Sequence, residues 1–385
     1  MAIVQRTLSW GVTASFIVGV HAPVSSVDAL ASGETAGRAV VVIEGGGSPH
    51  PFTSSVSTCD GHRPEYIQAL VDAGLPVFTA PGYTNRETST SGESRCPPQP
   101  PLEVQWNTSG YPIQAGQDVL GFLGYLNVAY GYRTFDLVGY SYGGIVARAT
   151  VSALKMHPPK GTMAPAFSYA QTAIDSGITI STIITVNSPH LGAPAYDVAG
   201  DPERNTAVVA NAWGPEYAKL ASSLVAFQDQ LGAGAIQALR TSASSHVGSD
   251  GWNASQAGVL DGVRLTLIAG DYCDRHCAAN PSAADPPSDP TLRTDGTVPV
   301  YSQLMLPCPA PCPSPPGAAF VPPGLFPKGS VTRVTFPTVH SRYVSVALGL
   351  PDVLPVTRHP DAIRYIVKAV LSAWEGDGLL KPSGQ

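Results

Sequence analysis

Charged side chains are scarce in this sequence. Asp, Glu, Lys and Arg together make up 13% of the 385 residues, which is about half the usual share for a soluble domain. The net charge is −6, and Lys and Arg form no cluster of the kind that binds nucleic-acid phosphates. The composition therefore argues against nucleic acid as a partner.

Long hydrophobic runs are also missing, so the sequence predicts no transmembrane anchor. The apolar run at residues 8–20 is short, is interrupted by Thr, Ser and Gly, and follows Arg6. Together with the small-x-small tripeptide Ala29-Leu30-Ala31, it resembles a secretory signal peptide with its cleavage site. We therefore predict a signal peptide at residues 1–31 and a secreted, extracellular mature chain at residues 32–385.

Two alternatives remain for this N-terminal segment. Val20-His21-Ala22 is a second tripeptide of the cleavage type, although it fits the pattern less well. The run could also be a buried strand or helix of the folded domain, in which case no segment would be removed.

The chain contains six cysteines, an even number that suggests disulfides in a secreted protein. Cys59 and Cys96 lie far along the chain from the other four, which favours a bond between them. The sequence leaves open how the remaining four pair, and they are Cys273, Cys277, Cys308 and Cys312. A zinc site near His276 is the alternative, but the three-residue spacers and neighbouring prolines differ from common zinc sites.

A serine motif lies at the centre of the pattern. The sequence Gly139-Tyr140-Ser141-Tyr142-Gly143 follows a strand-like run at residues 134–138 and precedes a helix-like run at residues 145–151. This context is that of a nucleophile elbow, a sharp turn that exposes a serine hydroxyl between strand and helix. Ser141 is thus the predicted nucleophile, and Gly139 and Gly143 let the backbone pass close to its neighbours. The N–H of Tyr142 would donate to an oxyanion.

A second oxyanion donor is expected in the loop after the first strand, where hydrolases with this elbow often carry His-Gly-Gly-Gly. This chain has Glu44-Gly45-Gly46-Gly47-Ser48 instead, with Glu44 in place of the histidine. Gly46 is the preferred donor and Gly47 the alternative. A flexible turn without a catalytic role is the other interpretation.

Strand-like and helix-like segments alternate through the chain. β-branched runs occur at residues 38–43, 76–80, 134–139, 178–186, 263–269 and 331–336, and helical spacing occurs at residues 64–73, 114–130 and 362–371. This alternation predicts an α/β protein with a mostly parallel central sheet covered by helices on both faces.

The elbow with Gly143–Arg148, followed by Asn187-Ser188-Pro189-His190 after a strand, resembles bacterial lipases of the α/β-hydrolase superfamily and the related GPI inositol-deacylases. The resemblance implies the α/β-hydrolase fold and a structural role for His190 beside the active site. It also implies a cap or lid insertion at residues 195–262, where residues 215–231 and 234–239 have helical character. Ordinary helices beside the sheet are the alternative to a lid.

The other two members of a catalytic triad are expected after later strands, in the chain order Ser, Asp, His. Asp295 opens an Asp-Gly-x-Val-Pro segment that is similar to the catalytic-acid segment of lipases and lecithin–cholesterol acyltransferases. Asp271 is the alternative acid. His340 follows the last predicted strand, where the base belongs in this fold, and His359 is the alternative base.

These residues predict a serine hydrolase that cleaves carboxylic esters, a lipase or carboxylesterase, through an acyl-enzyme. The expected partner is a lipid or other ester substrate, either at an interface or in solution, and the chemistry needs neither cofactor nor metal. Some lipases of this type carry a structural calcium ion, but no ligand cluster here demands one. The same triad could serve an acyltransferase, a GPI-type deacylase or a polyester depolymerase. A non-catalytic binding protein on a hydrolase scaffold is a further alternative, suggested by Glu44.

Overall fold

A six-stranded parallel sheet forms the centre of the protein, in the strand order β2-β1-β5-β6-β7-β8. The computed structural model describes residues 37–56, 63–84, 100–156, 168–213, 221–222, 228–241, 252–272, 293–307, 325–327 and 331–379. The six strands are β1 (Arg38–Ile43), β2 (Val77–Thr79), β5 (Thr134–Tyr140), β6 (Thr179–Val186), β7 (Arg264–Gly270) and β8 (Val331–Phe336). A separate two-stranded parallel pair joins β3 (Gly82–Tyr83) to β4 (Trp106–Asn107).

Strand β1 shows why these apolar runs become strands. Its side chains alternate between the two faces of the sheet, and all six residues are buried. Ala39, Val41 and Ile43 belong to one hydrophobic cluster, and Val40 and Val42 belong to a second. A parallel sheet needs apolar side chains on both faces because helices cover it on both sides.

Ten helices occur among the described residues. They are α1 (Glu65–Asp72), α2 (Pro112–Tyr130), α3 (Tyr142–Lys155), α4 (Ser168–Asp175), α5 (Pro194–Gly200), α6 (Pro202–Trp213), α7 (Gln228–Leu239), α8 (Val300–Gln303), α9 (Arg342–Ala347) and α10 (Pro360–Gly376). Helices α2, α3 and α4 contribute to the first cluster, and α1 and α10 contribute to the second. The strand order and this layering are those of the α/β-hydrolase fold, and they confirm the predicted fold class.

Local sequence sets the ends of the longest helices. Helix α2 begins with Pro112 and stops before Gly131, which has a left-handed backbone with φ of +78°. Helix α10 begins with Pro360 and buries Ala362, Ile366 and Val370, which recur at four-residue spacing on one face.

The amino ends of the strands carry a buried ionic cluster. The guanidinium of Arg38 in β1 binds both carboxylate oxygens of Asp136 in β5, at 2.8 and 2.7 Å. Asp136 also accepts a hydrogen bond of 2.5 Å from the indole of Trp374. Asp377, after α10, accepts from Arg38 and forms an ion pair with Arg264. These contacts tie the C-terminal helix to three strands.

The predicted insertion at residues 195–262 falls between β6 and β7. It contains α5, α6, α7 and a short 3-10 helix at Ala254–Gln256. Helix α6 was not predicted from the sequence, and most of the predicted helix at residues 215–231 lies outside the described residues. Helix α7 includes the predicted segment 234–239 but begins earlier, with a kink at Gly232 where φ is +72°.

Several predictions lie outside the described residues. These include the signal peptide at residues 1–31, all six cysteines and His276. Within the described ranges, no helix combines the length and apolar character needed to cross a membrane.

Candidate active site

The turn between β5 and α3 holds Ser141 in an unusual backbone conformation. Its φ is +53° and its ψ is −124°, a combination that costs an L-residue energy and that recurs at functional sites. The N–H of Ser141 donates to the carbonyl of Val186 in the neighbouring strand at 2.8 Å. The serine is therefore held at the carboxyl end of the sheet, directly before the first turn of α3.

Glycines on either side make this turn sterically possible. A Cβ atom at Gly139 would come within 2.5 Å of the Gly144 Cα, and a Cβ atom at Gly143 would come within 2.0 Å of the Ile43 carbonyl oxygen. Both distances are far below van der Waals contact, so larger residues would displace the backbone. These are the two glycines that the elbow pattern predicts.

The structure brings Ser141, His340 and Asp295 together from three distant parts of the chain. The Ser141 Oγ lies 2.9 Å from Nε2 of His340, and Nδ1 of the same ring lies 2.7 Å from Oδ2 of Asp295. An ionised carboxylate only accepts hydrogen bonds, so Nδ1 carries the proton and Nε2 is free to accept from the serine. This is the arrangement in which an imidazole can act as a base toward a serine hydroxyl.

Backbone groups fix the carboxylate of Asp295, which is fully buried. Its Oδ1 accepts from the N–H groups of Thr297 at 2.9 Å and Val298 at 2.7 Å. Gly296 supports this tight turn with a φ of +92°. The main chain also links the two loops, because the N–H of His340 donates to the carbonyl of Asp295 at 2.8 Å. The Asp-Gly-x-Val-Pro pattern thus orients one carboxylate oxygen toward the imidazole.

The alternative acid and base lie elsewhere. Asp271 forms an ion pair of 3.2 Å with Arg293. His359 occupies the position just before α10, with its ring 6.1 Å from that of Phe336.

His190 lies in a buried network below the elbow helix. Its Nδ1 is 3.3 Å from Arg148 and its Nε2 is 3.0 Å from the Thr185 hydroxyl. Asn253 accepts from Arg148 at 2.7 Å and donates to the His190 carbonyl at 2.9 Å. Desolvation holds the pKa of His190 well below its ordinary value, so the ring is neutral. These contacts agree with the structural role expected for His190.

The candidate oxyanion donors lie on either side of the serine. The N–H groups of Gly46 and Tyr142 have no hydrogen-bond partner among the described residues. Gly47 differs, because its N–H donates to the Thr108 carbonyl at 3.1 Å. A Cβ atom at Gly46 would come within 3.1 Å of the Tyr142 ring and 3.0 Å of the Thr108 oxygen. A side chain at this position would press on its neighbours by a few tenths of an ångström, so the close approach to the elbow favours a glycine.

A cavity of about 320 Å³ opens above the serine. The insertion contributes Tyr196 of α5 and Leu239 of α7 to its wall, and α9 contributes Tyr343 and Val344. No Lys, Arg, Asp or Glu occurs among the described residues that line it. The wall consists of glycines, aliphatic side chains, hydroxyl-bearing side chains and the imidazole of His340, and four of its residues are tyrosines.

Sequence reasoning did not assign roles to three other residues at this end of the sheet. His50 places Nε2 at 2.6 Å from the Gly45 carbonyl, and burial lowers its pKa to about 4, so the neutral ring donates to the loop of Gly46. Tyr140 donates from its hydroxyl to the His340 carbonyl at 2.6 Å. Burial raises the pKa of Glu44 to about 7, beside the phenol of Tyr66. The only sequence signal for these residues is their position next to the elbow and the glycine loop.

No group of three or more His, Cys, Asp or Glu residues is arranged to hold a metal ion within the described part of the chain.

Residues 118–202 match a protein-family model described as "Putative serine esterase (DUF676)". The matched stretch contains the elbow and the segment around His190. It supports an ester hydrolase as the class of enzyme. A comparison with curated proteins finds no match.

Several solved structures are similar to this chain. The lipase BlEst2 of Bacillus licheniformis in its mature form shares 14% identity over 84% of this chain and 91% of its own, with a TM-score of 0.34. Lipase 1 from Pelosinus fermentans shares 10% over 88% and 98%, with a TM-score of 0.38. EstA from Clostridium botulinum shares 11% over 84% and 89%, with a TM-score of 0.36.

Proposed function

We propose that this protein, which is a member of the α/β-hydrolase superfamily, cleaves carboxylic esters with Ser141 as nucleophile, His340 as base and Asp295 as the acid that orients the base. One observation carries the proposal: the Ser141 Oγ lies 2.9 Å from an imidazole nitrogen whose ring partner is 2.7 Å from a buried carboxylate. The family match over residues 118–202 supports an ester as the substrate.

The first half of the reaction forms an acyl-enzyme. The Ser141 Oγ attacks the carbonyl carbon of the ester while its proton passes to Nε2 of His340, and the carbonyl electron pair moves onto oxygen. The N–H groups of Tyr142 and Gly46 donate to that oxyanion, and one such donor contributes about 3 kcal/mol to transition-state stabilisation. The intermediate then expels the alcohol, whose oxygen takes the proton back from His340.

The second half releases the acid. A water molecule gives a proton to Nε2 of His340 while its oxygen attacks the acyl carbon, and collapse of this second intermediate returns the proton to the Ser141 Oγ. Asp295 keeps the imidazole in the required tautomer and stabilises the imidazolium in both halves. The products are an alcohol and a carboxylic acid, and the enzyme returns to its starting state.

The wall of the cavity supports an uncharged ester. It offers Tyr140, Tyr142, Tyr196 and Tyr343 around the serine and, within the described residues, no Lys, Arg, Asp or Glu. An activity of the lipase or carboxylesterase kind fits this wall, and a series of p-nitrophenyl esters of increasing acyl length distinguishes the two. If the insertion at residues 195–262 works as a lid, activity should rise sharply when the substrate exceeds its solubility.

Export of the enzyme is part of the proposal. The sequence of residues 1–31 and the even number of cysteines support a secreted mature chain that begins near Ser32 and carries disulfides. Intact mass spectrometry of the protein from the culture medium tests both points, with and without reductant. A full-length mass retained inside cells, with six free thiols, would contradict export.

The substitution Ser141→Ala tests the chemistry. It should abolish p-nitrophenyl ester hydrolysis and labelling by a fluorophosphonate probe while leaving the thermal unfolding transition unchanged. Ser152→Ala on helix α3 is the matched control, and it should retain both ester hydrolysis and labelling by the probe. Ester hydrolysis or labelling that persists in Ser141→Ala would show that another residue is the nucleophile.

A further inference from the structure

Two tyrosines flank the nucleophile, and their hydroxyls reach in different directions. The hydroxyl of Tyr140, the residue before Ser141, donates to the carbonyl of His340 at 2.6 Å. The hydroxyl of Tyr142, the residue after it, donates to the carbonyl of Gly110 at 2.7 Å. Each hydrogen bond joins the elbow to a segment distant in sequence, by 200 and by 32 residues.

The bond from Tyr140 holds the base loop, which we define as residues 337–341. The ring of Tyr140 lies against the imidazole, with the ring centres 5.6 Å apart and the planes tilted by 31°. The hydroxyl and the ring thus contact the main chain and the side chain of the same histidine. Burial and the nearby Asp295 carboxylate hold the pKa of Tyr140 far above its ordinary value, so the hydroxyl stays protonated and donates.

The bond from Tyr142 holds the clamp turn, which we define as residues 107–110. Thr108 in this turn accepts a hydrogen bond from the N–H of Gly47, directly after the proposed oxyanion donor Gly46. The Tyr142 ring is also in contact range of Gly46. Burial raises the pKa of Tyr142 well above its ordinary value, so this hydroxyl is a donor as well. The position of Gly46 therefore depends on Tyr142 through the turn and through the ring.

We propose that Tyr140 and Tyr142 are positioning residues with separate tasks: Tyr140 fixes the base loop to the nucleophile, and Tyr142 fixes the clamp turn and, through it, the oxyanion donor Gly46. This inference rests on the proposed ester hydrolase function. Both hydroxyls act through other groups and hold them relative to one reacting oxygen. A displacement of about 1 Å in such a site can cost roughly a hundredfold in rate.

The variant Tyr140→Phe tests the first task, with p-nitrophenyl acetate as substrate. It removes one oxygen and keeps the ring, and we expect kcat/KM to fall roughly tenfold with little change in KM. The loosened imidazole pairs less well with Asp295 when it is protonated, so the acid limb of the kcat/KM profile should move to lower pH. Circular dichroism and thermal unfolding verify that the variant is folded.

The variant Tyr142→Phe tests the second task on its own, even if Tyr140→Phe does not fold. We again expect a loss of roughly tenfold in kcat/KM, but with an unshifted pH profile, because the base is untouched. The affinity for a trifluoromethyl ketone, which forms an oxyanion with the serine, should fall by a similar factor. Because the two tasks are independent, the double variant should lose the product of the two factors.

Tyr125→Phe in the second half of helix α2 is the control for the loss of the hydroxyl of a buried tyrosine outside the elbow, and it should keep full activity. Two results would overturn the inference: a wild-type kcat/KM in the folded tyrosine variants, or the same pH shift in both. Failure of the proposed function looks different, because the wild-type protein would then neither hydrolyse the esters nor react with the fluorophosphonate.

Discussion

Buried carboxylates have different partners at the two ends of the sheet. At the amino ends, the buried carboxylate of Asp136 faces the guanidinium of Arg38, and Asp377 lies between Arg38 and Arg264. At the carboxyl ends, the equally buried carboxylate of Asp295 rests on two backbone N–H groups and an imidazole. Strand β5 spans both regions, with Asp136 near its start and the elbow at its end.

The comparison explains which end can react. A guanidinium stays protonated, so the pair of Arg38 and Asp136 is fixed and only holds the strands and α10 together. An imidazole can lose and regain its proton near neutral pH, so a carboxylate paired with His340 orients a working base. We therefore expect substitutions at the amino ends to change stability and substitutions at the carboxyl ends to change activity.

The largest expected effect is on activity, in the variant Asp295→Asn. The amide keeps the shape of the side chain but favours the wrong imidazole tautomer, so kcat should fall by about 10⁴-fold. Steady-state kinetics with a p-nitrophenyl ester measures this loss, and the unfolding transition should move little.

The matched control for this variant is Asp271→Asn, which alters the alternative acid next to the same strand end. We expect its kcat to stay near the wild-type value, because the carboxylate of Asp271 pairs with Arg293 and the imidazole of His340 pairs with Asp295. If the two variants exchanged these results, Asp271 would be the acid and the proposed role of Asp295 would be wrong.

The second effect concerns stability, in the variant Asp136→Asn. It removes the buried carboxylate of this pair and leaves Arg38 only the partly exposed Asp377 as an ionic partner. Loss of one partner of a buried pair typically costs about 3–5 kcal/mol, and we expect the lower end of that range because Asp377 remains. Urea unfolding should show this loss, while kcat/KM of the folded protein stays near the wild-type value. Asp72→Asn on the exposed face of α1 should cost less than about 0.5 kcal/mol. A large loss of kcat in folded Asp136→Asn would contradict the division between the two ends.

The sequence alone was sufficient to predict the positions of most strands of the central sheet. Strands β1 and β8 have the boundaries that the pattern predicts. In β1, Val and Ile fill both faces of a covered strand, whereas β8 is an edge strand with the β-branched sequence VTRVTF and no fully buried residue. Helix α6 was missed since its sequence, PERNTAVVANAW, starts with four residues of low hydrophobicity and has few large apolar side chains. Its position depends on tertiary packing beside α5, which no local pattern reveals.

At the site, the sequence pointed to candidate residues that lie in a recognisable motif. It gave no role to residues whose importance comes only from their contacts in the folded protein. The elbow glycines and Asp-Gly-x-Val-Pro carry their geometry locally, so Ser141 and Asp295 could be found. The sequence favoured Gly46 as the donor and left Gly47 open as the alternative, and the hydrogen bond from Gly47 to Thr108 distinguishes the two in the structure. Tyr140 and His50 act on groups that are distant in sequence or in a folded loop, and no spacing rule predicts such pairs.

The third expected effect is on the pH dependence of stability, and it concerns the carboxyl group of Glu44 at the carboxyl end of the sheet. Its pKa rises from 4.5 to about 7, chiefly through burial. The folded protein therefore keeps a proton that the unfolded chain releases, and this group lowers stability as pH increases between those two values. Glu44→Gln has no such proton, so it should be more stable than wild type by about 1–2 kcal/mol at pH 8 and equal to it at pH 4. Urea unfolding at both pH values measures this, and an equal difference at both would contradict it.

The smallest expected effect is an opposite pH dependence of stability, and it concerns Asp377 at the amino end of the sheet. The guanidinium groups of Arg264 and Arg38 hold the pKa of Asp377 well below its ordinary value of 3.8. The unfolded chain binds the proton first, so the stabilising contribution is complete above that value and is lost as pH falls below it. Because Asp377 is partly exposed to solvent, Asp377→Asn should cost no more than about 1 kcal/mol at pH 7. The difference in unfolding free energy between wild type and variant should therefore shrink as the pH falls below 3.8. If the stability loss in Asp377→Asn grew on acidification, Asp377 would not be held as an anion in the folded protein. The pH dependence of stability would then not be opposite at the two ends of the sheet.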